Sequence, residues 1–444
     1  MPSSFQFTAQ DLSNTAWAWA TLAVQDCPLM DAISAQAIAR LGEFTSQGLA
    51  ITAQRQSTVT SGGGSAVAVT GIAALLRPPS WCEDVPSVLS LVHALASTRC
   101  LEDAVFDAGA AALRRRADAR LAGRAISESR GHDLRGPLAL AAPGGLLCLP
   151  ANEDEPCVLF EGPQVCVLWK PPGWTVSVND DVDGAPTDRL EQGGRPLQEW
   201  LARELGSRYP IALDAGVAHG LVHRLDRGTS GALLWGKGYH GYYDARLRFA
   251  ARRVRKEYVC LCHGRVAARI LPRALEAPLL DLPTEPGSPW AAAGVPGGRP
   301  ARTVILNVAH LVAVGAAGGE ALALFSLVEV ALHSGRRHQI RAHMSHEGHP
   351  LVGDAIYGAP APVWWCPRIF LHAGRFGMDL AGAGPAEESE SIGGSGSDSE
   401  TLDCRVPLPS DLLGALQRLA PADAAARALL DRWRLGGRTR ESGM

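Results

Sequence analysis

His223-Arg224-Leu225-Asp226-Arg227-Gly228-Thr229-Ser230-Gly231 sets one carboxylate between two arginines at the mouth of a glycine-bounded turn. An aspartate beside a glycine is most often a turn residue and nothing more. Three features of the surrounding chain raise Asp226 above that. The string is long and unusual. Lys256-Glu257-Tyr258 follows on an expected strand, Tyr258 lying 32 residues beyond Asp226. Gly335-Arg336-Arg337-His338-Gln339-Ile340-Arg341-Ala342-His343 comes later, Arg341 lying 115 residues beyond Asp226.

Working outward, the chain has 444 residues, 46% of them hydrophobic, so two or three domains with real cores are expected and wholesale disorder is excluded. The net charge of −3 does not suggest a nucleic-acid binder. The local balance does, because His219 to Arg265 carries ten Lys/Arg against three Asp/Glu. Phosphate contacts and a solvated basic face both fit that surplus. Ten scattered cysteines without a CxxC speak for reduced thiols rather than a zinc site or a disulfide framework. No apolar run approaches the roughly 18 residues a membrane span needs. No secretory signal opens the chain, and a leader upstream of Met1 stays open.

Phe7-Thr8-Ala9-Gln10-Asp11-Leu12 returns as Phe44-Thr45-Ser46-Gln47-Gly48-Leu49, an offset of 37, and a fainter copy runs from Asp84. Ala- and Leu-rich segments between them have helical spacing, so a solenoid of degenerate repeats and a plain helical extension both fit. The expected organisation is a helical region over 1–110, a transitional stretch over 111–156, a catalytic domain over 157–420 and a C-terminal helix and tail over 421–444. Short alternating runs such as Val165 to Trp169, Ala232 to Gly236, Glu257 to Cys262, Thr303 to Val308 and Leu322 to Val330 read as strands. Gln339 to His346 reads as a helix ended by Gly348, with Ile340 and Met344 facing the core. Residues 385–403 read as a disordered acidic insertion. Leu412 to Trp433 reads as an apolar-periodic run started by Ser410 or Asp411.

Six ordered motifs carry a resemblance to RluA-type RNA pseudouridine synthases. Beside the three above they are Trp169-Lys170-Pro171-Pro172-Gly173, the run Gly348-His349-Pro350-Leu351-Val352-Gly353-Asp354-Ala355-Ile356-Tyr357-Gly358, and the closing Leu371-His372-Ala373 with Pro407-Leu408-Pro409. The resemblance covers roughly 158–420. It implies an α+β fold, with a mixed, mostly antiparallel central sheet and flanking helices, here preceded by an α-helical N-terminal region. It implies isomerisation of uridine within rRNA or tRNA, without cofactor, by a monomer. The compartment would be intracellular, organellar or cytoplasmic.

Roles follow residue by residue from the resemblance. Asp226 is the catalytic carboxylate, Arg341 its ion-pair partner and Tyr258 the ring against the uracil. Arg224 intrudes beside a uridine flipped out of its helix. Arg227, Arg252, Arg253, Arg255, Lys256 and His338 are placed against RNA, a solvated helix end being the other reading of Arg252, Arg253 and Arg255. Whether the carboxylate attacks the anomeric carbon or assists a glycal-type elimination stays open, and so does the base that takes the carbon-5 proton. Arg227-Gly228 and Trp174 depart from the usual pattern, and no S4-like module precedes the catalytic domain.

Three other signals are set aside. Gly231 to Lys237 has Walker A spacing, but Gly238 stands where Ser/Thr is needed, so no nucleotide cofactor is expected. His343, His346 and His349 recur every third residue, but the helix ends before a third metal ligand aligns. Thr229-Ser230 lacks a nucleophile elbow. Two rival functions remain, an inert RNA-binding adaptor and a nucleosidase-like hydrolase that releases the base.

Overall fold

A computed structural model describes residues 85–97, 101, 103–125, 146–178, 194–268, 270–282, 289, 291–313, 323–358, 363–379 and 401–435. The repeat-like copies at Phe7 and Phe44 lie outside them. Two compact units emerge. The described part of the first holds helices α1 (Val85–Ser97) and α2 (Asp103–Ala125) and a segment that leaves the second unit at Gly238 and returns after Arg253. Val88, Leu89, Leu91 and Val92 of α1 and Val105, Phe106 and Leu113 of α2 are buried, as their three- and four-residue spacing predicts. Helix α2 runs through the expected 110/111 boundary without a break.

The second unit is a sheet with flanking helices. In chain order it contains β1 (Cys157–Glu161), β2 (Val165–Lys170), β3 (Trp174–Thr175), β4 (Arg195–Pro196), α3 (Leu197–Leu205) and β5 (Ser230–Gly236). The departing segment carries α4 (Tyr239–Ala250). There follow β6 (Val254–His263), β7 (Arg273–Leu275), β8 (Leu279–Asp281), β9 (Ala291–Ala293), β10 (Thr303–Ala313), β11 (Leu324–Leu332) and α5 (Gln339–His346). Last come β12 (Leu371–Asp379), β13 (Thr401–Arg405), α6 (Ser410–Gln417), β14 (Leu419–Pro421) and α7 (Ala424–Arg434).

Among the described residues the main sheet has the order β1-β2-β5-β12-β6-β11-β10-β14, with β13 on β12 and β7 on β10. Within it β5 and β12 run parallel and the other described pairs are antiparallel. Strands β2 and β5 are buried at every position, which is why they read as continuous apolar runs rather than alternating ones. Strand β5 contains most of Gly231 to Lys237, so that stretch is sheet interior and not a phosphate loop.

One face of the sheet is closed by α6 and α7. Leu412, Leu416, Leu429 and Leu430 pack there with Val259, Leu261, Leu311, Phe325, Leu327 and Phe370. Each such side chain, fully buried, contributes roughly 1.5–3 kcal/mol. The apolar run over 412–433 is therefore not one helix. It breaks at β14, which pairs Leu419 to Pro421 with β10, and Asp423 then caps α7 by accepting from the Ala426 amide at 2.7 Å. Neither Ser410 nor Asp411 caps α6. Glu153 does, accepting from the Ser410 amide and hydroxyl, each at 2.7 Å. Strand β13 begins at Thr401, so the last three residues of the expected 385–403 insertion are sheet. The rest of the insertion, 385–400, lies outside the described residues.

Candidate active site

Sheet order assembles the site. Asp226 closes a turn just before β5, its carbonyl accepting from the Thr229 amide at 2.9 Å. Strand β12 lies between β5 and β6, and Tyr258 of β6 pairs with Ala373 of β12. One strand, β12, thus lies between the strand that follows the carboxylate turn and the strand of the tyrosine, which is 32 residues further along the chain. Helix α5 supplies Arg341, and His338 stands at its N-cap. His338 takes the left-handed conformation (φ 52°) just before the first turn, and Ile340 and Met344 are buried as expected.

The turn carrying Asp226 is braced by the Lys-Pro segment. The Gly173 amide donates to the Arg227 carbonyl at 2.8 Å. Lys170 is fully buried, and its ammonium donates to the carbonyls of Thr229 (2.7 Å), Pro171 (2.9 Å) and Arg227 (3.3 Å). His223 is structural. Its Nε2 accepts from the Leu234 amide at 2.9 Å and its ring stacks on Phe376. Burial, then the Lys256 charge, pushes its pKa down to about 3, so it stays neutral.

Arg341 lies 4.0 Å from Asp226, but its close partner is another carboxylate. Nε and Nη2 donate to Asp354 Oδ2 and Oδ1, each at 2.8 Å, in a bidentate pair. Nη1 donates to His338 Nε2 at 3.0 Å, and the guanidinium lies 4.9 Å from the Tyr357 ring centroid. A guanidinium can only donate, so in this arrangement the His338 proton sits on Nδ1, facing the Tyr357 hydroxyl at 3.2 Å. The ion pair expected between Arg341 and Asp226 is therefore a longer, secondary contact. Asp354 holds the arginine, and Arg341 presents its charge to Asp226.

Asp226 keeps 16% of its side chain exposed. Burial alone would raise its pKa. The neighbouring His338, the Arg341 and Arg224 guanidiniums and the Lys170 ammonium together outweigh burial and hold the carboxyl below its ordinary value. Tyr258 is 8% exposed, and its hydroxyl is pushed up by burial and then by the charge of Asp226. The Tyr258 phenol is therefore neutral over any working pH.

The structure sorts the remaining candidates. Asp226, Arg341, Arg224 and His338 share one electrostatic neighbourhood, and His338 Nε2 is 4.0 Å from Asp226 Oδ2. His338 is 3% exposed and so is a wall of the site rather than a phosphate contact. Strand alternation puts Lys256 and Tyr258 on one face of β6 and Arg255 and Glu257 on the other. Arg255, 56% exposed and 3.8 Å from Glu257, thus stands across the sheet from Tyr258. Arg252 and Arg253 belong to the other unit, where Arg253 donates to Asp103 at 2.6 Å and lies 4.1 Å from the Phe106 ring centroid. Among the histidines spaced by three, His343 bonds Thr303 and the Ala277 carbonyl, and His349 bonds the His263 carbonyl.

Two functional side chains escaped sequence reasoning, Asp354 and Tyr357. Both lie in Leu351-Val352-Gly353-Asp354-Ala355-Ile356-Tyr357, where a lone acid among apolar residues must be buried and must find a cation. A cavity of about 410 Å³ is lined by Tyr258 together with Glu257, Glu329, Arg375, Arg432 and Trp433. Its lining does not include Asp226, Arg341 or His338, so it is separate from the carboxylate cluster.

Comparison with known proteins fits this geometry. The profile of the family described as RNA pseudouridylate synthase matches residues 164–346, which contain Asp226, Tyr258 and Arg341. An uncharacterized RNA pseudouridine synthase of Chloroflexus aurantiacus is 34% identical over 49% of this chain and 60% of its own length. Ribosomal large subunit pseudouridine synthase D of Nitrosomonas europaea is 30% identical over 61% of this chain and 68% of its own length. RNA pseudouridine synthase 2, chloroplastic, of Oryza sativa is 35% identical over 41% of this chain and 36% of its own length. The chain therefore spans about 60% of the Chloroflexus relative and about a third of the rice one.

Proposed function

We propose, because this chain belongs to the RNA pseudouridylate synthase family, that it isomerises uridines in structured rRNA or tRNA to pseudouridine through the carboxylate of Asp226. The observation that carries the reading is one partly open carboxylate kept ionised by surrounding cations beside a buried, neutral tyrosine. Isomerisation breaks the bond from the anomeric carbon to nitrogen 1, makes a bond from the same carbon to carbon 5, and releases the carbon-5 proton. Nothing is oxidised or reduced. The site must stabilise positive charge developing at the ribose and hold the detached uracil while it turns. An ionised Asp226 serves the first need, by attack on the sugar or by assisting elimination. The Tyr258 ring serves the second by offering a flat face.

Arg341 keeps Asp226 charged, and Arg224 beside it is placed to fill the gap left by a flipped nucleotide. Arg227 and Lys256, in the same unit, remain the candidates for phosphate contacts. The rice relative's name supports a plastid among the compartments left open.

The test is tritium release from RNA labelled at uridine carbon 5, with chromatography of the products. Release with pseudouridine in the RNA is expected. Free uracil would make the chain a hydrolase, and unchanged RNA bound by the protein would make it an adaptor.

A pH profile checks the electrostatics. With the Asp226 pKa lowered, the single-turnover rate is expected to stay flat from about pH 7 down to about pH 5, with any acid limb below the ordinary carboxylate value of roughly 4. The sign for stability is the same. The fold favours charged Asp226, so its contribution is complete above the ordinary carboxylate pKa and is lost as pH falls through the lowered one. An acid limb centred near pH 6 would show that burial outweighs the cations.

A further inference from the structure

Residues 368–370 lie between the two halves of the site, the Asp226 turn on one side and the Asp354 turn that grips Arg341 on the other. Arg368 Nη1 donates to the Gly228 carbonyl at 3.0 Å, and Nη2 donates to Ser230 Oγ at 2.9 Å. Both acceptors are within four residues of Asp226. The guanidinium is anchored from behind by Asp411 in the first turn of α6, with Nε to Oδ2 at 2.6 Å and Nη2 to Oδ1 at 3.2 Å. Only 12% of the Arg368 side chain is exposed.

The backbone of the same segment touches the other half. A Cβ at Gly353 would fall 2.3 Å from the Arg368 carbonyl oxygen, so only glycine lets the chain pass there, at φ +79°. The next residue is Asp354. The Phe370 amide donates to the Val352 carbonyl at 2.9 Å, closing the contact on that side. On the other side a Cβ at Gly228 would fall 2.8 Å from Ile369 Cγ2.

We propose that Arg368 is a positioning residue, a clamp that fixes the Asp226 turn against the Asp354 turn and so sets the carboxylate's place relative to Arg341. This rests on the isomerase reading above. An ion pair that served the fold alone would need only Asp411. The two further donations, into the carbonyl and hydroxyl that follow Asp226, use the fork geometry that arginine has and lysine lacks. Misplacement of a reacting group by about 1 Å can cost roughly a hundredfold in rate. The clamp therefore predicts a loss in the chemical step rather than in RNA affinity.

The test compares wild type with Arg368→Lys, which keeps the charge and loses the fork. Three quantities are read: the single-turnover rate on prebound RNA, the RNA Kd, and hydrogen exchange of the 224–231 peptide. A rate loss of roughly ten- to a hundredfold is expected, with Kd nearly unchanged and faster exchange confined to 224–231. Asp411→Asn should fall between the two. An unchanged rate in an active protein, or unchanged exchange at 224–231, overturns the clamp. Faster exchange throughout the sheet, with Kd and rate lost together, also overturns it, because Arg368 would then serve the fold alone. If wild type binds RNA and makes no pseudouridine, the isomerase reading fails by itself. The exchange measurement needs no turnover and still decides whether Arg368 holds the turn.

Discussion

Asp226→Asn is expected to lower the rate of pseudouridine formation by at least about a thousandfold while the protein stays folded and still binds RNA. The substitution changes charge and hardly changes shape. It removes the anion on which the chemistry depends, whether that anion attacks the sugar or stabilises the charge on it. The fold should tolerate it, because the contacts of Asp226 to Arg341 and to His338 are both long, at 4.0 Å, and Arg341 keeps its bidentate pair with Asp354. RNA affinity should hold or rise, since a negative charge leaves a site that receives a polyanion. The measurement is tritium release under single-turnover conditions beside a filter-binding isotherm. A variant within tenfold of wild type would take Asp226 out of the mechanism. Loss of binding together with rate would mean that the carboxylate orders the site rather than reacting in it.

The residues in that argument differ in how far they could be read from the chain. Asp226, Tyr258 and Arg341 stood out because each sits in a motif, and the sheet order β5-β12-β6 is the physical reason distant motifs meet. What the motifs left open was the pairing. A buried guanidinium satisfies whichever carboxylate can take two of its donors in plane, and that depends on the fold. Asp354 meets the condition and Asp226 does not. The same limit hid the Arg253–Asp103 pair, whose partners are 150 residues apart. The face that Arg255 occupies was legible too, because the alternation of β6 sets it opposite Tyr258. The apolar-periodic run over 412–433 also carries its own break. Pro421 followed by Asp423 is a stop and a fresh cap, and the segment before it is short enough to join a sheet edge.

Asp354→Leu is expected to be the most destabilising single change in the site, costing about 3–5 kcal/mol and lowering the thermal midpoint by on the order of 10 °C. Asp354 is 1% exposed, and losing it strands a guanidinium whose side chain is 10% exposed. Asp354 Oδ1 also faces the Ile356 and Tyr357 amides at 3.2 and 3.3 Å, so the turn that presents Tyr357 loosens as well. The double variant Arg341→Met/Asp354→Leu separates the two effects. Replacing a whole buried ion pair by apolar side chains of similar size is often neutral, whereas breaking it is not. The double variant should therefore regain more than half of the lost stability. It should not regain all of it, because His338 Nε2 loses its donor, at a cost of about 1–3 kcal/mol. Its activity should stay as low as that of either single variant, since the Arg341 guanidinium no longer stands by Asp226 to oppose burial, and the acid limb of any residual rate should move upward. Recovery of rate together with stability would show that the pair serves packing alone. Failure of the double variant to regain stability would show that the tie from Arg341 to His338 and Tyr357 outweighs the ion pair itself.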